Sequence, residues 1–177
     1  MKTTGIIRRI DDLGRIVVPK ELRKSLRIKN GDSLEIFVDN EDIILKKYSP
    51  IESIEDAATR YVDSFNQVIK HSVIVTDKDR VIAASGSLKK RYFGKSITEF
   101  TERGIERRDS FVERQKKTFS FVEGVEDFGY YSFSSIISDG DTIGSVIIIS
   151  VDNPIIESEE KLAVILAKLL SGKFSND

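Results

Sequence analysis

The sequence predicts an α+β chain in two parts: a small N-terminal head of short strands completed by a second copy of itself, then an antiparallel sheet with flanking helices. Three observations predict this. Apolar residues alternate with polar ones in short runs broken by Gly, Asn and Asp, while later segments add apolar residues at helical spacing. The first 50 residues hold too little surface to bury a core unaided, a threshold that lies at about 40 to 60 residues when metal and disulfides are absent. Charge is also divided. Residues 1–29 carry nine Lys/Arg against three acids, a net of +6, so the rest must hold −7 to give −1 overall.

The head reads element by element. TGIIRRI alternates, DDLG offers a turn with Gly14 at a positive φ, and RIVV resumes, which together predict a hairpin. Pro19 ends that strand and suits the first position of a short helix, PKELRKSL. Glu21 then lies in its first turn, Lys24 and Arg27 toward its end, and Leu22 and Leu26 form an i, i+4 apolar pair. Asn30-Gly31-Asp32 turns the chain, Leu34, Ile36 and Val38 line one side of a third strand, Asn40-Glu41-Asp42 turns again, and IILKK makes a fourth. Zero cysteines and one histidine leave no disulfide or thiolate metal site to staple so small a unit. A partner chain is the remaining route, and hairpins interleaved from two chains also cover strand edges that otherwise invite aggregation.

The run TGIIRRIDDLGRIVVPKELRKSLRIKNGDSLEIFVDNEDIILKKYSP, and GRIVVPKELRKSL above all, resembles the DNA-binding domain of AbrB-like transition-state regulators. The resemblance implies a swapped-hairpin β-barrel dimer over residues 1–50, double-stranded DNA as partner, and a transcription regulator acting in the developing spore. It places the DNA-contacting arginines on Arg8, Arg15 and Arg23. Lys24 stands where a second helix arginine is common, and an ammonium binds phosphate as a point charge, so its expected role is backbone positioning. Arg9 points to the opposite strand face from Arg8, and its role stays open between DNA contact and a solvated salt bridge.

Ser49-Pro50-Ile51-Glu52 reads as a capping box that starts a connecting helix over residues 51–70. Ile51, Ile54, Ala58, Tyr61, Phe65 and Val68 follow an a/d seam, which suits pairing with another helix or, alternatively, lying on the sheet of its own domain. Residues 71–177 then give strand, Asp-rich turn and strand over 71–86, a helix in KSITEFTERGIERRD, a short strand in TFSFVE, and a long hairpin turning at Asp139-Gly140-Asp141. A last helix over about 155–170 carries Leu162, Leu166 and Leu169 on one stripe, widened by Ala163, Ile165 and Leu170. The segment SDGDTIGSVIIISVD is similar to the late strands of GAF domains, which implies a regulatory or oligomerising unit. The expected assembly is a dimer through the head and a tetramer through this second part. A small-molecule effector, in a pocket lined by Tyr92, Phe93, Tyr130 or Tyr131, stands beside a purely oligomerising role.

The sequence offers no catalytic set. His71 at a strand start reads as structural, because metal sites converge several donors. Glu159-Glu160 and Asp139-Asp141 have no evident base-orienting neighbour, and there is no glycine-rich phosphate loop. The reading is therefore a non-enzymatic regulator with no cofactor and no metal. No apolar run approaches the roughly 20 residues that cross a bilayer, so no membrane is expected and the location is cytoplasmic, on the nucleoid. The alternatives are an antitoxin-like protein whose similar head serves a partner polypeptide, and a ligand sensor with a minor DNA role.

Overall fold

A computed structural model describes residues 5–48 and 55–172, and the chain divides into two compact units, 1–48 and 49–177. In the first unit, helix α1 (Lys20–Ser25) precedes the antiparallel pair β1 (Leu34–Asp39) and β2 (Asp42–Lys47), registered Ile36 against Leu45 and Val38 against Ile43. Pro19 is the residue before α1 and not its first helical position; its ψ of 146° is extended, and its carbonyl accepts from Arg23 N. The helix ends where Arg27 takes a left-handed φ of 53°, letting Ile28 N donate to Arg23 O at 2.7 Å.

The expected hairpin over residues 5–18 forms at its turn only. Gly14 (φ 74°) donates its N–H to Asp11 O at 2.9 Å, and Asp11 N donates to Arg15 O at 3.1 Å. The arms on either side carry no strand ladder within the described residues. Their apolar side chains are bare: Ile7 is 88% exposed, Leu13 75% and Val17 74%. Across the described part of this unit only Pro19 is buried, so a single copy has no interior.

The second unit is a five-stranded antiparallel sheet in the order β4-β3-β7-β6-β5, made of β3 (Ser72–Thr76), β4 (Val81–Ala84), β5 (Ser110–Phe119), β6 (Asp127–Ser138) and β7 (Asp141–Ser150). Helices α2 (Glu55–Ile69) and α5 (Glu157–Ser171) pack with one set of core residues; α3 (Lys89–Tyr92) and α4 (Glu99–Glu106) pack with another. Alternation assigns the central strands to both: Val73, Val75, Val146 and Ile148 join the first core, and Ile74, Ile147 and Ile149 the second. With both faces covered, β7 is buried over most of its length, which is why its sequence can read VIII without a break.

The structure moves three expected features. The strand expected in TFSFVE lies earlier, as β5 over 110–119, and residues 120–123 are held by an isolated bridge between Ile97 and Val122. The stripe on α2 is turned: Ala58, Val62 and Ile69 are buried while Val68 is 78% exposed, because the helix lies on the sheet beside α5. On α5 the inward residues are Ala163, Leu166, Ala167 and Leu170, leaving Ile165 and Leu169 half exposed. The capping box at 49–52, and Ile51 and Ile54 of the seam, lie outside the described residues.

Candidate nucleic-acid interface

The cations singled out in the sequence fall on three local structures of the first unit. Arg8 and Arg9 are exposed on the extended segment before the turn, Arg15 closes the turn, and Arg23 and Lys24 sit on α1. Each arginine of the main set is held differently. Among the described residues, Arg8 Nη1 donates to its neighbour's carbonyl, Ile7 O, at 3.3 Å. Arg15 Nε donates to Asp11 Oδ2 at 2.7 Å. Arg23 is partly buried; its Nη1 donates to Asn30 Oδ1 at 2.8 Å, and its Nε is buried without a partner within the described residues.

The turn between the extended segments is built around Asp11. Its Oδ1 accepts from Leu13 N at 3.0 Å and Arg15 N at 2.8 Å, an Asx turn that fixes the loop locally. Hydrogen bonds from the Arg15 backbone first, and from its side chain second, hold the Asp11 carboxyl below its ordinary value. The following loop is tied to β2: Lys47 Nζ lies 3.2 Å from Asp32 Oδ2 and donates to Arg27 O at 3.3 Å, while Asp32 Oδ2 also accepts from Lys29 N. The GRIVVPKELRK string singled out Arg15 and Arg23 as candidates; the acceptors that hold them, Asp11 and Asn30, carried no signal, because their roles depend on side-chain direction in a turn.

Chemically, this surface can present planar guanidinium forks to acceptor pairs such as guanine edges and phosphate oxygens. It offers no nucleophile with a base, and no cluster of His, Asp and Glu able to hold a metal occurs within the described residues.

In the second unit the four aromatics expected to line one pocket do not converge: Tyr92 and Tyr131 share one core, and Tyr130 and Phe93 lie outside it. Tyr130 packs against the α2/α5 core and Tyr131 against the other, Tyr92 is fully buried, and Phe93 is 48% exposed. The reason is the two-residue period of β6, which sends adjacent tyrosines to opposite faces. Burial first, then the hydrogen bond it donates to Asp127 Oδ2 at 2.7 Å, pushes the Tyr92 phenol up. Phe111, Phe119, Phe121, Tyr131 and Phe133 fill the space on that side as a chain of rings with centroids 4.9 to 6.0 Å apart. An open cleft of about 710 Å³ lies elsewhere, bordered by the end of α2, Ser72, Ser150 to Pro154 and the first turn of α5. There His71 Nε2 stands 3.1 Å from Glu159 Oε1, the neighbour that sequence reading did not find for that carboxylate.

Comparison with known proteins agrees with both units. A family described as "Stage V sporulation protein T C-terminal, transcription factor" matches residues 53–174, and one described as "Antidote-toxin recognition MazE, bacterial antitoxin" matches residues 7–53. The chain is 48% identical over 173 residues to stage V sporulation protein T of Bacillus subtilis (strain 168), covering 97% of each. Over 50 residues it is 62% identical to transition state regulatory protein AbrB of the same organism, which is 28% of this chain and 52% of that one. The GAF domain of a phosphoenolpyruvate-protein phosphotransferase from Acinetobacter superposes with a TM-score of 0.56 at 15% identity, covering 73% of this chain and 84% of that one, a likeness of fold alone. Because the likeness to the Bacillus protein runs the length of both chains, and the first family spans most of the second unit, this chain belongs to the stage V sporulation protein T family of transcription factors.

Proposed function

We propose that residues 1–50 of two chains interleave into one DNA-binding head, and that the protein is a sequence-selective regulator of sporulation genes in the forespore cytoplasm. One observation carries the reading: the unit whose first 29 residues carry a net +6 also has bare apolar arms and, within its described residues, no interior of its own. Pairing supplies that interior and brings two sets of cations onto one surface. Arg8, Arg15 and Arg23 then contact double-stranded DNA, Lys24 positions the phosphate backbone, and Arg9 contributes charge from the other strand face. The second unit, which has its own cores, joins dimers into a tetramer and raises apparent affinity where two heads reach two sites. The open His71–Glu159 cleft, about 710 Å³ against about 150 Å³ beside Phe111 and Phe133, is the roomier candidate for a small-molecule effector.

The antitoxin-like alternative is favoured by the match over residues 7–53. That match ends with the head, and most of the remaining chain falls in the transcription-factor family. The test is retention on DNA. Arg15→Ala with Arg23→Ala should abolish binding while light scattering still reports the assembled mass. Wild-type affinity should fall by roughly three to five orders of magnitude between 50 and 200 mM salt, as expected for about 6 to 10 phosphate contacts. Undiminished binding by the double variant, or affinity flat across that range, rejects the reading.

A further inference from the structure

We propose that Asp11 is a positioning residue for DNA recognition: its carboxylate fixes the Arg15 guanidinium so that the terminal Nη1/Nη2 edge is presented to a base or phosphate before DNA arrives. This rests on the reading of Arg15 as a DNA contact. The geometry is specific to this turn. One carboxylate oxygen, Oδ1, takes the backbone N–H of Leu13 and of Arg15, and the other, Oδ2, takes Arg15 Nε at 2.7 Å. The first oxygen builds the loop and the second aims the side chain, so a single residue sets both the backbone and the rotamer of Arg15. With Nε occupied, the edge left for DNA is the fork that matches the O6/N7 pair of guanine or two phosphate oxygens.

Neither of the other two arginines has this arrangement. Among the described residues, Arg23 is held by the neutral Asn30 side chain, and Arg8 makes a long contact to its neighbour's carbonyl. The Asp11–Arg15 pair is exposed, with side chains 43% and 71% accessible, so it adds little to fold stability, where surface ion pairs count for little. Its value lies in ordering a long side chain in advance, which removes part of the entropy otherwise lost on binding. The Asp11 carboxyl is held below its ordinary value, so it stays charged throughout the usual range of binding assays.

The proposal predicts a sign opposite to that of simple charge. An acidic side chain beside a DNA-contacting arginine repels phosphate, so its neutralisation should tighten binding if charge alone matters. Asp11→Asn separates the effects: the amide oxygen can still accept from Leu13 N and Arg15 N and keep the turn, while the amide nitrogen cannot accept from Arg15 Nε. Two probes are needed for the full-length chain, a duplex enriched by the wild type from a random 40-base-pair pool, and poly(dI-dC). Asp11→Asn should weaken binding to the enriched duplex by roughly 3- to 10-fold. Binding to poly(dI-dC) should be unchanged or tighter, and the loss should vanish when Arg15 is already alanine.

Tighter binding of Asp11→Asn to both probes overturns the proposal, as does a loss that persists undiminished in the Arg15→Ala background. In each of these cases Arg15 remains a DNA contact so long as Arg15→Ala itself loses affinity. If Arg15→Ala binds the enriched duplex as the wild type does, the contact reading itself fails and the role of Asp11 falls with it.

Discussion

Asp77 shows how much one side chain can settle in the second unit. It is 4% exposed at the end of β3, and its Oδ1 accepts from Asp79 N and Arg80 N, both at 2.6 Å, which closes the turn into β4. Burial pushes its carboxyl above the ordinary 3.8, outweighing those two hydrogen bonds. The fold therefore favours the neutral acid: that contribution is complete below pH of about 3.8 and is lost as the pH rises through the raised value. Asp77→Asn keeps an acceptor and removes the desolvated charge, so at pH 7 it should be neutral or stabilising in urea denaturation. Asp77→Ala should cost about 1–3 kcal/mol, because it strands two turn N–H groups. Equal destabilisation by both variants contradicts this account. At the same scale the two kinds of site residue differed in legibility. Arg15 and Arg23 were legible as candidates because a recurring string of residue types marks them. Asp11 was not, since an aspartate in a turn looks the same whether it binds only backbone or also a guanidinium.

Among the elements, those whose pattern follows from burial on both faces were read with little displacement: β3, β4, β6, β7 and the turn at Asp139-Gly140 fall where alternation and turn residues put them. β5 was misplaced because an edge strand can be polar. Its central RQKK run is exposed, the strand pairs with β6 on one side only, and charges on an edge hinder pairing with other chains. For α2 and α5 the helices were read but not their rotation, since both carry apolar residues over a wide arc and only the packed sheet decides which part faces in. β7 also holds a position where no side chain fits. A Cβ on Gly144 falls on the Thr76 carbonyl oxygen and 3.1 Å from the Asp77 Cα, because β3 passes too near. Gly144→Ala should therefore destabilise by about 3 kcal/mol or prevent folding, as overpacking against backbone does. Gly140→Ala, at a φ of 85° with nothing within 4 Å, should lose only about 1 kcal/mol, from backbone strain. Chemical denaturation of the two variants side by side checks the order.

For the molecule as a whole, the two units solve the problem of burial differently. The second has two filled cores within one chain; the first leaves Ile7, Ile10, Leu13 and Val17 uncovered in a single copy. The sequence indicated this through length and the lack of cysteines, but it could not show that the hairpin arms have no ladder partners among the described residues of their own chain. If the head is completed by its twin, residues 1–50 alone should melt at a temperature that climbs with protein concentration, and Val17→Asp should abolish the transition. A melt independent of concentration over a hundredfold range contradicts the pairing. The bare arms have a further consequence for how such a chain behaves at low abundance. Where finished heads form only by collision of two incomplete ones, their number grows with the square of newly made polypeptide, and unmated copies offer greasy extended segments to proteases. Output is then steeply dose-sensitive, nearly silent below a threshold of synthesis and abruptly present above it, without any added signal.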